Sequence, residues 1–283
     1  MSAESLHLWL EQTWNEQQSL RLRLRSCLHE STSPFQRIAV YDSFALGRVL
    51  ALGGTITLSE ADEAIYAEGL VHPALRCHSA PRRVLIIGGG DGSVCREVCR
   101  YPDVESITVV EIDQTVTEIV REYFPTLGAS LDDPRVDLVI DDAHRFLSTN
   151  TDCWDIIIID ADSLHSTANH VVQPVPIGSL LEQRLAQGGI LVAPLGLPAF
   201  AASTCRDQLR ELAQRFATAA VYQFTTPSMI GQQWAVAWCS QERVPELIEP
   251  APACTGELEY WAPDLQASLF ALPRHRQRQL GLA

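Results

Sequence analysis

Acidic residues stand at the ends of four successive apolar runs in the middle of this sequence. The first run, Val84–Ile87, leads into Gly88-Gly-Gly-Asp-Gly92, which contains Asp91, and the later runs lead into Glu111, Asp141-Asp142-Ala143 and Asp160. Carboxyl ends of parallel strands meet at one edge of a sheet, where ligands bind. A single acid there could be a surface residue, but four in order predict a ligand site.

Each position offers a specific contact to a nucleoside ligand. Gly88 and its neighbours let a ligand approach the backbone where a strand turns into a helix. Glu111, about twenty residues past that turn, can accept hydrogen bonds from both ribose hydroxyls. Asp142, beside Ala143, can accept one from an adenine amino group, and Asp160 is expected to point into the ligand crevice.

The carboxylate of Asp91 narrows the choice of ligand. A dinucleotide-binding loop would read G-x-G-x-x-G and hold a pyrophosphate. An Asp in the loop would face that anion in a partly desolvated site, which is unfavourable. The loop suits a ligand that has no phosphate and carries positive charge nearby, and an adenosyl sulfonium compound meets that description.

Residues 1–79 predict a small antiparallel β domain with a linking helix. Ser19–Arg25 alternates apolar and polar residues almost strictly, as a strand with one buried face does. The helix is expected from an N-cap at Ser59, with Asp62 three residues on, through Leu75. Further strands are predicted over residues 35–41, 47–52 and 55–58, with a turn at Gly53-Gly54.

Residues 80–283 predict a second domain, in which short apolar runs alternate with helical segments. This pattern is typical of an α/β fold with a doubly wound, mostly parallel sheet and right-handed crossovers. Strands are expected over residues 84–87, 106–110, 136–140, 154–159 and 188–193, helices over 94–101, 116–123 and 177–186, and a closing hairpin over 219–224 and 234–239. A helix near 264–271 and a solvated basic tail are expected to follow.

The composition excludes several classes of protein. The chain has 283 residues with 21 Lys plus Arg against 35 Asp plus Glu, a formal net charge of −14, which argues against nucleic-acid binding. No apolar run reaches the ~20 residues that span a bilayer and no signal-peptide pattern is present, so a cytoplasmic protein without a membrane contact is expected. The eight cysteines are expected as reduced thiols, and no metal site is predicted.

The motifs together resemble the spermidine synthase, or polyamine aminopropyltransferase, family over nearly the whole chain. The likeness is carried by residues 14–20, 35–36, 47–50, 60–63, Tyr66, Glu68, 71–73, the Gly88–Gly92 loop, 110–113, 132–136, 260–261 and 270–273. Several of these lie outside the nucleotide site, so the resemblance goes beyond methyltransferases in general.

The resemblance implies an enzyme that moves an aminopropyl group from decarboxylated S-adenosylmethionine to a small amine, with no other cofactor. It implies a methyltransferase-like, Rossmann-type domain after the N-terminal β domain, and homo-oligomers, commonly dimers or tetramers. The catalytic residues map to Asp160 and Tyr66. The donor-binding residues map to Gln36, Gly88, Asp91, Glu111, Asp142 and Ala143. The acceptor-binding residues map to Tyr66, Asp91, Asp160, Asp162 and Ser163.

The sequence departs from the family pattern where the amine is expected to bind. The usual Asp-Ser-Ser-Asp-Pro is here Asp160-Ala-Asp-Ser-Leu164, a polar residue after Tyr66 is Ala67, and Thr57, Pro194 and Met229 replace Gln, Gln and Tyr. Each lost polar partner in a buried site costs roughly 1–3 kcal/mol, so either an acceptor other than simple putrescine, such as a longer, bulkier or less charged amine, or poor use of putrescine is expected. Two further interpretations stay open: a methyltransferase that uses intact S-adenosylmethionine, and a non-catalytic paralogue.

Overall fold

The computed structural model describes residues 8–15, 18–161, 177–229 and 231–282. Asp162 and Ser163, two of the predicted acceptor-binding residues, lie outside these ranges. The chain divides into two compact units. The first holds the chain up to Glu63 and a short stretch from Pro227, and the second holds the remainder from Ala64. Residues 64–79 therefore belong to the second unit, whereas the sequence prediction placed them in the first.

The first unit is an antiparallel sheet of five strands in sequence order. The strands are β1 (Leu8–Asn15), β2 (Gln18–Thr32), β3 (Arg37–Ser43), β4 (Arg48–Leu52) and β5 (Thr55–Ser59). The strict alternation in β2 buries Leu22 and Leu24 and leaves the intervening arginines exposed. The N-terminal antiparallel domain is thus confirmed, with β2 longer than predicted.

Strand β1 has no counterpart among the predicted strands. Its inward positions include Leu10 and a polar residue, Gln12, whereas Trp9 is exposed. Gln12 is accommodated because its Oε1 accepts a hydrogen bond from the backbone N–H of Ile56 at 3.0 Å. A polar residue inside and an aromatic residue outside reverse the usual pattern of a half-buried strand.

Helix α1, Glu63–Leu75, begins later than predicted. Ser59 is the last residue of β5, so it is not the N-cap. Its hydroxyl instead donates to Asp62 Oδ1 at 2.6 Å, and Asp62 Oδ2 accepts from the backbone N–H of Ser228 at 2.6 Å. The Ser-x-x-Asp spacing that resembled a capping box therefore links the end of β5, through Asp62, to the backbone of Ser228 within the first unit.

The second unit is built on a seven-stranded sheet with the order β11-β12-β10-β9-β6-β7-β8. The strands are β6 (Arg83–Gly88), β7 (Ser106–Glu111), β8 (Val136–Ile140), β9 (Trp154–Asp160), β10 (Leu185–Gly196), β11 (Thr218–Phe224) and β12 (Trp234–Ser240). Strands β10, β9, β6, β7 and β8 are parallel, and β12 and β11 close the sheet as an antiparallel hairpin. The doubly wound, mostly parallel fold is confirmed.

Helices cover both faces of this sheet. They are α2 (Ser93–Cys99), α3 (Gln114–Tyr123), α4 (Pro125–Gly128), α5 (Ala143–Thr149), α6 (Ile177–Arg184), α7 (Pro198–Arg215), α8 (Pro263–Phe270) and α9 (Arg274–Leu280), with a turn of 3₁₀ helix at Ala129–Asp132. Two apolar clusters of buried residues separate into the two faces, because successive strand residues such as Ile156 and Ile157 alternate between them.

Two segments differ from the sequence prediction. Helix α7 was not predicted, although Cys205, Leu209 and Leu212 are buried at helical spacing along it. The basic tail is not simply solvated, because Arg276 in α9 is only 5% exposed. Its guanidinium donates to Gln279 and Gln233 at 2.7 and 3.3 Å.

Candidate active site

The glycine loop joins β6 to α2 at the point where the strand order reverses. The chain passes from β6 to β7 and β8 on one side, and then to β9 on the other. Gly88 pairs in register with Asp160, the last residue of β9. In open α/β sheets the crevice beside such a reversal is the usual ligand site.

The first two glycines permit close contact between the loop and Asp160. Gly88 and Gly89 have φ values of +82° and +75°, which disfavour residues with a Cβ. A Cβ at Gly88 would collide with the carbonyl oxygen of Asp160, and one at Gly89 would lie 3.1 Å from Asp160 Oδ2. The carboxylate of Asp160 therefore lies directly against the loop.

Glu111 lies on the other side of the same loop. As the last residue of β7 it is buried, and its Oε2 accepts a hydrogen bond from the N–H of Gly90 at 3.1 Å. Its Oε1 accepts from the N–H of Asp113 at 2.8 Å. Burial raises the pKa of the Glu111 carboxyl, and the backbone donors only partly oppose that shift.

Asp91 lies at the start of α2. Its Oδ1 accepts a hydrogen bond from the N–H of Ser93 at 2.8 Å, in the first turn of the helix. Burial raises the pKa of this carboxyl, and the contact to Ser93 lowers it in part. Both carboxylates thus become easier to protonate than ordinary acidic side chains.

Asp142 caps the helix that follows β8. Its Oδ1 accepts from the N–H of Arg145 at 2.9 Å, so Asp142 is the N-cap of α5, and Ala143 is the first residue of that helix. The N–H of Asp142 donates to Asp141 Oδ1 at 2.6 Å. Asp142 lies at the end of β8, beside the end of β7 that carries Glu111.

Tyr66 lies in α1 within a group of aromatic rings. Its ring meets those of Trp234 and Phe224 edge to face, with centroid separations of 5.3 and 6.1 Å. A Cβ at Gly69 would lie 2.9 Å from the Phe224 ring, so glycine allows this approach. Phe224 ends β11 and Trp234 begins β12, which is the edge of the sheet at which the parallel strands end.

Gln36 is the predicted donor-binding residue that belongs to the first unit. It lies in the turn before β3, where its backbone N–H donates to Ser33 Oγ at 3.1 Å. Its donor-binding role stays a prediction, as do the roles of Asp162 and Ser163. Within the described ranges, no cluster of three or more His, Cys, Asp or Glu residues could hold a metal ion.

The positions that depart from the family pattern offer little polarity. Ala67 is fully buried in the core of the second unit, and Pro194 lies within β10, opposite Val236. Met229 is buried in the first unit, where Thr57 is exposed on β5. Ala67, Pro194 and Met229 have no side-chain hydrogen-bond donor for a ligand.

Sequence reasoning missed several residues that shape the site. Asp113 caps α3 by accepting a hydrogen bond from the N–H of Thr115 at 3.2 Å, and its own N–H donates to Glu111 Oε1. An N-cap Asp ahead of a helical pattern was a readable signal. Trp234 and Phe224 gave no such signal, since two aromatic residues in an apolar hairpin are ordinary core residues until the fold sets them against Tyr66.

Taken together, the second unit is a Rossmann-like sheet in which the carboxylates of Glu111 and Asp160 flank a glycine loop at the reversal of strand order, the usual ligand site of this class of fold. Residues 63–248 match the family model described as the spermine/spermidine synthase domain, and residues 8–60 match the spermidine synthase tetramerisation domain. The chain belongs to the spermine/spermidine synthase family, which confirms the resemblance that the sequence motifs carried.

Named relatives and solved structures agree with this assignment. The chain is 32% identical to a polyamine aminopropyltransferase of Desulforudis audaxviator, over 95% of this chain and 98% of the relative. It is 35% identical to polyamine aminopropyltransferase 1 of Pseudomonas aeruginosa, over 92% and 93%. The spermidine synthase of Thermotoga maritima superimposes with a TM-score of 0.89 at 27% identity, over 98% and 95%. A spermidine synthase in complex with the transition-state analogue AdoDATO gives 0.91 at 27% identity, over 98% and 96%.

No helix in the ranges that the structure describes is long and apolar enough to cross a lipid bilayer. All eight cysteines, each within the described ranges, are free thiols.

Proposed function

We propose that this protein transfers the aminopropyl group of decarboxylated S-adenosylmethionine to an amine and releases methylthioadenosine. The observation that carries this proposal is the pair of carboxylates, Asp160 and Glu111, packed against one glycine loop in a chain whose residues 8–60 and 63–248 match the family's two domain models. Glu111 suits the ribose hydroxyls, Asp142 suits the adenine amino group, and Asp91 suits the ammonium of the donor.

The chemistry assigned to Asp160 is proton removal. An alkyl ammonium has a pKa of about 10 and holds its proton at neutral pH. The carboxylate binds this ammonium, takes one proton and leaves a lone pair aimed at the donor carbon next to sulfur. A C–N bond forms as the C–S bond breaks, and the bonding pair returns to sulfur, which becomes a neutral thioether. Alignment of the two reactants supplies much of the acceleration.

The choice of donor is assigned to Asp91. Intact S-adenosylmethionine carries a carboxylate beside its ammonium, and that carboxylate would face Asp91 in a partly desolvated site. The decarboxylated compound keeps only the ammonium, which forms a charge-assisted hydrogen bond with Asp91. A methyltransferase that uses the intact compound is therefore disfavoured by this residue.

The acceptor is proposed to differ from simple putrescine. Ala67 is fully buried and has no polar group, and the thioether of Met229 is a weaker hydrogen-bond acceptor than the hydroxyl of a tyrosine would be. Fewer polar partners weaken the binding of the distant ammonium of a diamine. A longer, bulkier or less charged amine is the acceptor that these departures from the family pattern favour.

A product assay tests the proposal. The protein is incubated with decarboxylated or intact S-adenosylmethionine and with putrescine, cadaverine, spermidine or agmatine, and the thioether is identified by mass spectrometry. Methylthioadenosine is expected, S-adenosylhomocysteine would indicate a methyltransferase, and neither would indicate a non-catalytic protein. The chain contains no lysine, so amine-reactive derivatisation of the acceptors meets little background from the protein.

Asp160→Asn separates chemistry from binding. The amide keeps the shape of the side chain but cannot take the proton, so product formation is expected to fall by at least ~10²-fold. Methylthioadenosine should bind with an affinity within about twofold of the unsubstituted protein, since the ribose and adenine contacts are assigned to Glu111 and Asp142. Turnover near the original rate would contradict the role of Asp160.

A further inference from the structure

A buried carboxylate on α1 anchors a distant segment of the second unit. Glu68 is 0% exposed. It accepts hydrogen bonds from three consecutive backbone N–H groups, those of Glu259, Tyr260 and Trp261, at 2.8, 2.9 and 2.7 Å. A buried ionised group is costly unless hydrogen bonds compensate it. Three donors on one carboxylate therefore form a strong link between α1 and residues 259–261.

Glu68 and Tyr66 lie on opposite sides of the helix. Residues two apart in an α-helix are separated by about 200° around its axis. His72, one turn beyond Glu68, lies on the Glu68 side, where Nδ1 is 2.6 Å from the Tyr101 hydroxyl and Nε2 is 3.3 Å from Glu97 Oε2. One side of α1 is thus held by buried polar contacts, and the other side presents Tyr66.

The anchored segment also reaches Tyr66 through the aromatic rings. The Tyr260 ring lies 6.3 Å from the Phe224 ring, and the Phe224 ring lies 6.1 Å from that of Tyr66. The N–H groups bound by Glu68 therefore belong to the segment whose Tyr260 ring packs against Phe224, and Phe224 in turn packs against Tyr66. Glu68 thus links the orientation of α1 directly to the position of residues 259–261.

We infer that Glu68 is a positioning residue, which orients Tyr66 for the amine acceptor by anchoring residues 259–261 to α1. The inference rests on the proposed function, because it takes Tyr66 as the residue that orients the amine. Glu68 acts through Tyr66 and does not touch the reacting atoms. Its replacement by Gln keeps the volume and one accepting oxygen, but the other oxygen becomes an N–H₂ group that faces a backbone N–H, so the anchor loses its charge and at least one hydrogen bond.

The experiment combines Glu68→Gln with Tyr66→Phe in a double-mutant cycle. For Glu68→Gln, KM for the amine is expected to rise about tenfold, as the loss of a charge-assisted hydrogen bond allows. The dissociation constant of methylthioadenosine should stay within about twofold. In the Tyr66→Phe background the same change should raise KM by less than about threefold, because residues that act through one another are not additive.

A matched control uses Asp155→Asn. Asp155 Oδ2 also accepts from backbone N–H groups, those of Arg82 and Arg83, at 2.8 and 2.9 Å, but at the opposite edge of the sheet, where β6 and β9 begin. It should lower the melting temperature without raising KM for the amine. If Glu68→Gln does not fold, Glu68→Asp, which keeps the charge but shortens its reach, takes its place.

Three results would overturn the inference: an unchanged KM in folded Glu68→Gln, a full effect that persists in Tyr66→Phe, or an equal effect in Asp155→Asn. Failure of the proposed function is distinguishable by direct binding, with Trp fluorescence and with putrescine and spermidine as probes. If the protein makes no methylthioadenosine, the proposed activity is refuted. If Glu68→Gln nevertheless weakens the binding of either amine, the role of Glu68 as an anchor is supported. If neither amine shows weaker binding after the change, the anchor is refuted as well.

Discussion

At the scale of single residues, the site relies on carboxylates whose charged form is disfavoured by burial. Partial loss of solvent around the carboxyl groups raises the pKa of both buried Glu111 and half-buried Asp91, and backbone N–H groups offset only part of that cost. A ligand that supplies hydroxyl or ammonium donors lowers the free-energy cost of ionising these carboxyl groups. Binding and ionisation at these two residues should therefore be linked.

Donor affinity should consequently depend on pH through Glu111. An acid whose pKa is raised in the folded protein becomes neutral at a pH above its ordinary value of about 4.3. Neutral Glu111 accepts hydrogen bonds from the ribose poorly, so methylthioadenosine should bind more weakly as the pH falls from 7 towards that value. Calorimetric titration of Glu111→Gln should give weak binding with a flatter pH profile. If the affinity of the variant for methylthioadenosine depends on pH just as steeply, a group other than Glu111 is responsible for the pH dependence.

Asp91 should contribute to donor affinity only through its contact with the donor's ammonium. Asp91→Asn removes a charge-assisted hydrogen bond worth ~1.5–3 kcal/mol, which corresponds to roughly 10–150-fold in the affinity for decarboxylated S-adenosylmethionine. Methylthioadenosine has no ammonium, so its affinity serves as the internal control and should change by less than about threefold. Equal losses for the two compounds in competition binding would show that Asp91 merely shapes the loop.

At the scale of elements, α1 contains a proline, and side chains of neighbouring strands donate the hydrogen bonds that its backbone carbonyls lack. Pro73 has no N–H, so the carbonyl of Gly69 lacks its helical donor. The Tyr222 hydroxyl, on β11, donates to that carbonyl at 2.8 Å, and the Trp238 indole, on β12, donates to the carbonyl of Pro73 at 3.0 Å. The closing hairpin thus stabilises the helix that carries Tyr66.

This arrangement predicts a coupling between two substitutions. Tyr222→Phe leaves a buried carbonyl unsatisfied and should lower the free energy of unfolding by ~1–3 kcal/mol. In a Pro73→Ala background the restored N–H can donate to Gly69, so the cost of Tyr222→Phe should shrink. Urea denaturation measures both values. Tyr41→Phe, in the first unit, should be additive with Pro73→Ala; additivity for Tyr222→Phe as well would refute the compensation.

At the scale of the whole molecule, the first unit is the part that matches a tetramerisation domain. It exposes several large apolar side chains, namely Leu8, Trp9, Leu28, Phe35 and Phe44, whereas the second unit exposes fewer of them within the described ranges. Exposed apolar groups on one unit favour association through that unit. Homo-oligomers built on the β domain are the expected assembly.

Sedimentation of two charge variants tests this expectation. Leu28 is 40% exposed in the first unit and Val244 is 53% exposed in the second. Leu28→Asp should shift the mass towards the 31.3 kDa of one chain, because a buried unpaired carboxylate is costly at an interface. Val244→Asp should leave the mass unchanged. A monomer before any substitution, or an equal shift in both variants, would contradict the assignment.

The local signals in the sequence determined much of this protein. The alternation in β2, the continuous apolar runs of β6 and β9, and the loop at Gly88 predicted both sheets and the edge where ligands bind, because these patterns follow from the chain's own periodicity. The order of acidic residues along the chain predicted Asp91, Glu111, Asp142 and Asp160 at or just past the ends of successive strands. Since parallel strands must end at one edge, that prediction needed no distances.

Only the tertiary structure decided which residues meet across the chain. The contact of Glu68 with residues 259–261, the hydroxyl of Tyr222 on the carbonyl of Gly69, and the rings around Tyr66 join segments far apart in sequence. None of these contacts has a local pattern, because each depends on the packing of two elements whose sequences are separately ordinary. The sequence thus determines where the chemistry can occur, and packing determines how firmly the reacting groups are held.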